Sequence, residues 1–113
     1  MDTPKIKTLQ QVNAAIQLVN QARLVPNIST EEEGLLEDVS LALQELQDDL
    51  ILKSEQELVD AVSLNSNKLS ALTEQIKTAS DKLDSVSNTL QKLDTVLEAL
   101  IKIISTAISS GLV

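Results

Sequence analysis

The chain contains no Phe, Tyr or Trp, no His and no Cys, and among its 113 residues only two are Gly and two Pro. Each absence removes a class of function. Aromatic side chains supply the bulky filling of globular cores and the anchors of small-molecule pockets, and neither is available here. Without His, the many serines have no imidazole base. Without Cys there is no disulfide framework, no thiolate chemistry and no Cys-based zinc site. Gly34 and Gly111 lie far apart, so no glycine-rich loop can cradle a phosphate. Positive charge is also scarce: nine basic residues, Arg23 the one arginine among them, face 17 acidic ones, a formal net charge of −8. Nucleic-acid binding rests on neutralising phosphates, and single-strand binding adds aromatic stacking, so nucleic acid is not an expected partner. Anionic lipid surfaces are disfavoured for the same reason, whereas a purely hydrophobic attachment is not.

What is present is aliphatic. Apart from Met1, the 42% apolar content consists of Leu, Ile, Val and Ala, which suits layered helix–helix packing. The length allows one helical domain, residues 1–113, with a core of its own. The stretch Met1-Asp2-Thr3-Pro4-Lys5 leads into a polar helix and not an apolar signal core, so no cleavable secretory peptide is expected and a cytoplasmic location is the default. Asn27-Ile28-Ser29 matches a glycosylation sequon, a motif common by chance.

Periodicity places the helices. Asp2-Thr3 before Pro4 reads as a polar N-cap with proline at the first helical position. Leu9, Val12, Ile16 and Val19 then recur at helical spacing, and Pro26 should end this helix near Leu24. Ser29 and Thr30, each followed three residues on by a glutamate (Glu32 and Glu33), mark the next start as a capping box. Glu31, Glu32 and Glu33 favour the positive end of the helix dipole, and a solvated first turn is the expected role of this run. The stripe continues through Leu36, Val39, Leu43, Leu46 and Leu50, then slips, with Lys53 and Glu57 at apolar positions. Two breaks are possible: a helix start at Ser54, capped with Glu57, or a break in the Ser63–Asn67 stretch, where Ser and Asn compete with helix through local hydrogen bonds.

From Leu69 the pattern is a heptad repeat. One set holds Leu69, Ile76, Leu83, Leu90, Leu97 and Ile104; the other holds Leu72, Ala79, Val86, Leu93, Leu100 and Ala107. Six filled heptads predict a coiled-coil or bundle helix, and one running from Lys68 to Ser110 would span about 60 Å. The same register run backwards puts Asn65 in the seam, where a buried Asn would fix register or partner number; an Asn at a helix break is the simpler alternative. One flank of the seam is Ser66, Thr73, Ser80 and Ser87, the other Lys68, Gln75, Lys82 and Thr89. Small hydroxyl flanks let a second helix approach closely, which predicts a bundle of three or more helices. Asn67, Glu74, Asp81, Asn88, Thr95 and Lys102 form a polar outer ridge.

Past Val96 the stripe broadens until the helix is apolar nearly all round, through Leu97, Ala99, Leu100, Ile101, Ile103, Ile104, Ala107 and Ile108. This segment is shorter than the roughly 20 apolar residues of a membrane span and carries Glu98 and Lys102. It is expected to sit at the centre of a bundle or oligomer, with membrane attachment or docking into a partner's groove as the other readings. Gly111 should terminate it.

No reaction centre is expected. Lys77 and Ser80 have helical spacing but such pairs are common on polar faces. Asp48 and Asp49 are adjacent and so point apart. Glu31, Glu32 and Glu33 lack the ligand spacing of a cation site. The predicted fold is all-α, an elongated bundle of about three helices ending in a long heptad-patterned one. Its expected function is a non-catalytic structural or protein-interaction module without cofactor or metal, acting through helix pairing. The interaction seam would be Leu69, Leu72, Ile76, Leu83, Val86, Leu90, Leu93, Leu97, Leu100 and Ile104, used in self-association or with a protein partner. The partner or membrane face would be Val96, Ile101, Ile103 and Ile108. The alternative is a membrane-active or lipid-binding helical protein, such as a pore-forming component. A bundle that opens to hold an apolar ligand between its helices is a third possibility.

Overall fold

The structure, a computed structural model, describes residues 2–79 and 81–111. Helix α1 spans Asp2–Ala22, α2 Thr30–Leu52, α3 Glu55–Ala79 and α4 Asp84–Ser109, with a short 3-10 turn, Asp81–Leu83, leading into α4. Each helix packs against the next in the chain, and α1 closes the ring against α4. Short connections make neighbours antiparallel. The result is an elongated four-helix bundle measuring 52 × 20 × 17 Å.

Local chemistry sets most of the boundaries. At α2 the capping box forms at Ser29: its hydroxyl accepts from the Glu32 amide at 3.0 Å, and the Glu32 carboxylate accepts from the Ser29 amide at 3.1 Å. The acidic first turn is therefore not wholly solvated, because Glu32 is buried while Glu31 and Glu33 are exposed. The slip after Leu50 is a true helix start. Ser54 donates to the Glu57 carboxylate at 2.9 Å and accepts from its amide, opening α3. The 63–67 stretch is continuous helix within α3. At the far end Gly111, with φ +72°, follows Ser110 and donates back to Ile108, the left-handed closure that glycine adopts without steric cost. Helix α1 already includes Asp2 and Thr3, so Pro4 is its third residue and not its first as expected; the side chains of Asp2 and Thr3 lie outside the described residues, as does Ser80.

The 60 Å C-terminal helix does not exist as one piece, and the bundle has four helices where about three were expected. The heptad stretch from Leu69 folds back on itself between Ala79 and Asp84, and α4 with the 3-10 turn before it is the longest element. Two causes act together. A lone chain with six apolar heptads in line would leave that seam in water, and a turn buries it against itself. The residues around the turn, Thr78, Asp81, Asp84 and Ser85, are weak helix formers, and Asp84 suits a first turn. The heptad spacing hid the turn because the repeat does not skip there: Ile76 to Leu83 and Ala79 to Val86 are both seven residues, so inward positions stay inward.

One core cluster runs through all four helices, built on Val12, Val19, Leu36, Leu43, Leu46, Leu58, Ile76, Leu90, Leu97 and Ile104 among others. A polar slab crosses it. Gln47 of α2 donates to Asn13 of α1, Asn65 of α3 donates to Asp49 of α2 at 3.0 Å, and Ser66 of α3 donates to Asp94 of α4. Positions 47 and 49 are half a turn apart and 65 and 66 are adjacent, so the three bridges fall within about 5 Å along the bundle axis. Asn65 is fully buried. It lies in the seam and not at a helix break.

Candidate functional site

The chain's own helices occupy the seam. Leu69, Ile76, Leu83, Val86, Leu90, Leu93, Leu97, Leu100 and Ile104 are buried, and Leu72 is half-buried against the core. Ala79, at the turn, is exposed. The hydroxyl flank works as expected of small residues: Ser66, Thr73 and Ser87 are buried, with Thr73 donating to the Leu69 carbonyl and Ser87 to that of Asp84. The ridge residues Asn67, Glu74, Asp81, Asn88, Thr95 and Lys102 all face solvent.

The broad apolar end of α4 divides in two. Leu97, Leu100, Ile104 and Ala107 are buried, and Ile101 is half-buried against the core. Val96 is also half-buried. Of the four residues read as a partner or membrane face, only Ile103 and Ile108 are exposed, at 42% and 36%.

Sequence reasoning missed a larger surface feature, the outer groove between α2 and α3. Its three segments run into one another along the bundle, sharing Gln75 and Glu45. Apolar residues line it throughout: Leu35 and Ala79 in the first segment, Leu41, Ala42, Ala71 and Leu72 in the second, Ala61 and Leu64 in the third. Leu41 and Leu64 are 58% and 54% exposed. The charged lining is one-sided. Glu31, Asp38, Glu45, Asp49, Glu57, Asp60 and Glu74 face Lys53 and Lys68, and one of the two lysines, Lys68, is paired with Glu45 at 3.5 Å. The signal in the sequence was the pair of leucines lying off the apolar stripe of each helix. Their shared location became visible only once α2 lay beside α3.

A smaller cavity of about 210 Å³ opens at the α1–α2 connection, lined by Leu18, Ala22, Val25, Ile28 and Leu83, with Glu32 and Lys82 among its polar residues. Glu32 is held there by the capping box. Among the described residues no cluster of His, Cys, Asp or Glu could hold a metal ion, and no helix is long and apolar enough to cross a membrane. Comparison with known protein families, with curated proteins and with solved structures found no match to the chain.

Proposed function

We propose that the chain is a non-catalytic protein-interaction bundle whose α2–α3 groove receives a basic amphipathic helix from a partner protein. The observation that carries this reading is the groove's composition. Seven carboxylates, of which Glu45 and Glu74 are ion-paired with Lys68 and Lys77, and two lysines line a groove that also holds the exposed Leu41 and Leu64. An apolar stripe with charge of one sign suits a helix presenting apolar anchors flanked by Lys and Arg. The charge would steer encounter and select partner sign, while the leucines would supply most of the contact energy. Rigid helices hold both, which limits the ordering cost of binding.

Calorimetric titration with a Lys-rich amphipathic helical peptide, and with its Glu-rich counterpart, tests the reading. The basic peptide should bind, weaken as salt rises, and lose affinity for a Leu41→Ser/Leu64→Ser variant whose melting is unchanged. Equal binding of both peptides, or full binding by the variant, would sink it.

Exposed Ile103 and Ile108 on α4 support a second reading, hydrophobic contact with a membrane surface. Flotation with neutral phosphatidylcholine vesicles decides it. Binding that disappears in an Ile103→Asp/Ile108→Asp variant supports the reading, and no binding by the intact chain removes it.

A further inference from the structure

The joint between α3 and α4 is unlike the other two connections. The α1–α2 link contains Pro26 and Asn27, the latter at φ 69°, and the α2–α3 link begins a new helix with a Ser54–Glu57 cap. Both are fixed as turns by their own residues. The α3–α4 joint has no Gly or Pro, and none of its described residues has a positive φ. Its N-cap residue is Leu83, which makes no side-chain hydrogen bond to the amides of α4. Those amides would gain regular partners if the helix continued upstream. Were α3 and α4 one helix, the 3-10 segment Asp81–Leu83 would lie mid-helix, where such segments often mark hinges.

The apolar register also continues through the joint. Extended to the start of α3, one heptad set runs through Val62, Leu69, Ile76 and Leu83, and the other through Leu58, Asn65, Leu72, Ala79 and Val86. Straightened, residues 55–109 would form one helix of about 80 Å with a single apolar stripe interrupted only by Asn65. The α3–α4 pairing has the symmetry to re-form between two copies. Ser66 bonds to Asp94, and the midpoint of 66 and 94 falls in the joint itself. Two straight helices laid antiparallel about that midpoint would restore the contact twice, Ser66 of each chain meeting Asp94 of the other.

We propose that the joint is a hinge, and that a second copy of this chain is a partner through exchange of α4. In the exchanged dimer α4 of each chain completes the bundle of the other, and the core contacts of the closed monomer are kept. Such exchange is a low-cost route to a dimer because only the hinge changes conformation. It does not involve the outer groove, so it stands or falls apart from the function proposed above.

The absence of native cysteine makes the test direct. A Ser66→Cys/Asp94→Cys variant is unfolded, refolded at high chain concentration, separated by size and oxidised. A non-reducing denaturing gel of the dimer fraction should show a covalent dimer, because positions 66 and 94 then meet between chains. A dimer formed through outer surfaces would run as monomer on that gel, and this overturns the proposal, as does refolding to monomer alone. Gln21→Cys/Ser85→Cys, at exposed positions lining the same cavity on α1 and α4, repeats the test should the first pair disturb folding. Inserting Gly-Gly after Asp81 should abolish the dimer peak while circular dichroism stays that of the closed bundle. Retention of the dimer with the insertion would also overturn the hinge.

Discussion

At the scale of single residues, Asn65 carries the sharpest consequence. It is completely buried, its amide nitrogen reaches Asp49 and the Ala61 carbonyl, and its own side-chain oxygen finds no hydrogen-bond partner. A buried polar group so served costs stability. Asn65→Leu should therefore raise the unfolding free energy by about 1 kcal/mol in urea titrations, since Asp49 is only half-buried and can turn to water. Asn65→Asp should do the reverse. It sets a carboxylate in the core beside the half-buried Asp49, at a cost of about 3 kcal/mol at neutral pH. The introduced carboxyl would titrate higher in the folded state than in the unfolded chain. Its destabilisation should consequently grow as pH rises above the ordinary carboxylate range and fade on acidification, which chemical denaturation at a series of pH values would record. The sequence indicated the seam position of Asn65 but not its burial, which depends on Asp49, 16 residues away on another helix.

Among the helices, capping chemistry was the most legible feature and the heptad repeat the most misleading. Of the two overlapping boxes at the start of α2, the chain uses Ser29 with Glu32. Ser29→Ala should cost about 1 kcal/mol, visible as a lower denaturation midpoint. Ser54→Ala should cost less, because its bond to the Glu57 amide is long at 3.4 Å and exposed. The heptads identified every buried residue of α4 except Ser87, a flank position. They could not show the reversal after Ala79, because a repeat that keeps its interval through a turn looks the same as one in a straight helix. The low helix propensity of Thr78, Asp81, Asp84 and Ser85 was the local sign, and it is weak beside six filled heptads.

For the whole molecule, one core serves four helices, so loss of packing anywhere should be felt everywhere. Leu97, fully buried, should cost about 2–5 kcal/mol when truncated to Ala, with helical signal lost from all helices in one transition. Leu64→Ala, at an exposed groove position, should leave stability within about 0.5 kcal/mol. Circular dichroism melts of the two variants side by side would check both. The fold class and the inward faces were readable from periodicity. The groove was not, because its acidity comes from seven residues on two helices whose adjacency depends on the packing.

A heptad seam has translational degeneracy: slid by seven residues, Leu meets Leu again and the packing energy barely changes. Four such helices could in principle assemble in many staggered forms of similar energy. The slab of Asn13, Gln47, Asp49, Asn65, Ser66 and Asp94 removes that degeneracy. Because its three bridges join successive pairs of helices at one height, shifting any helix by a heptad breaks at least one bridge, and a shift between α2 and α3 leaves the buried Asn65 amide without Asp49. The slab thus acts as an origin mark on an otherwise repeating ruler. Deleting all three bridges together should yield a bundle that is more stable on average and less uniform in structure.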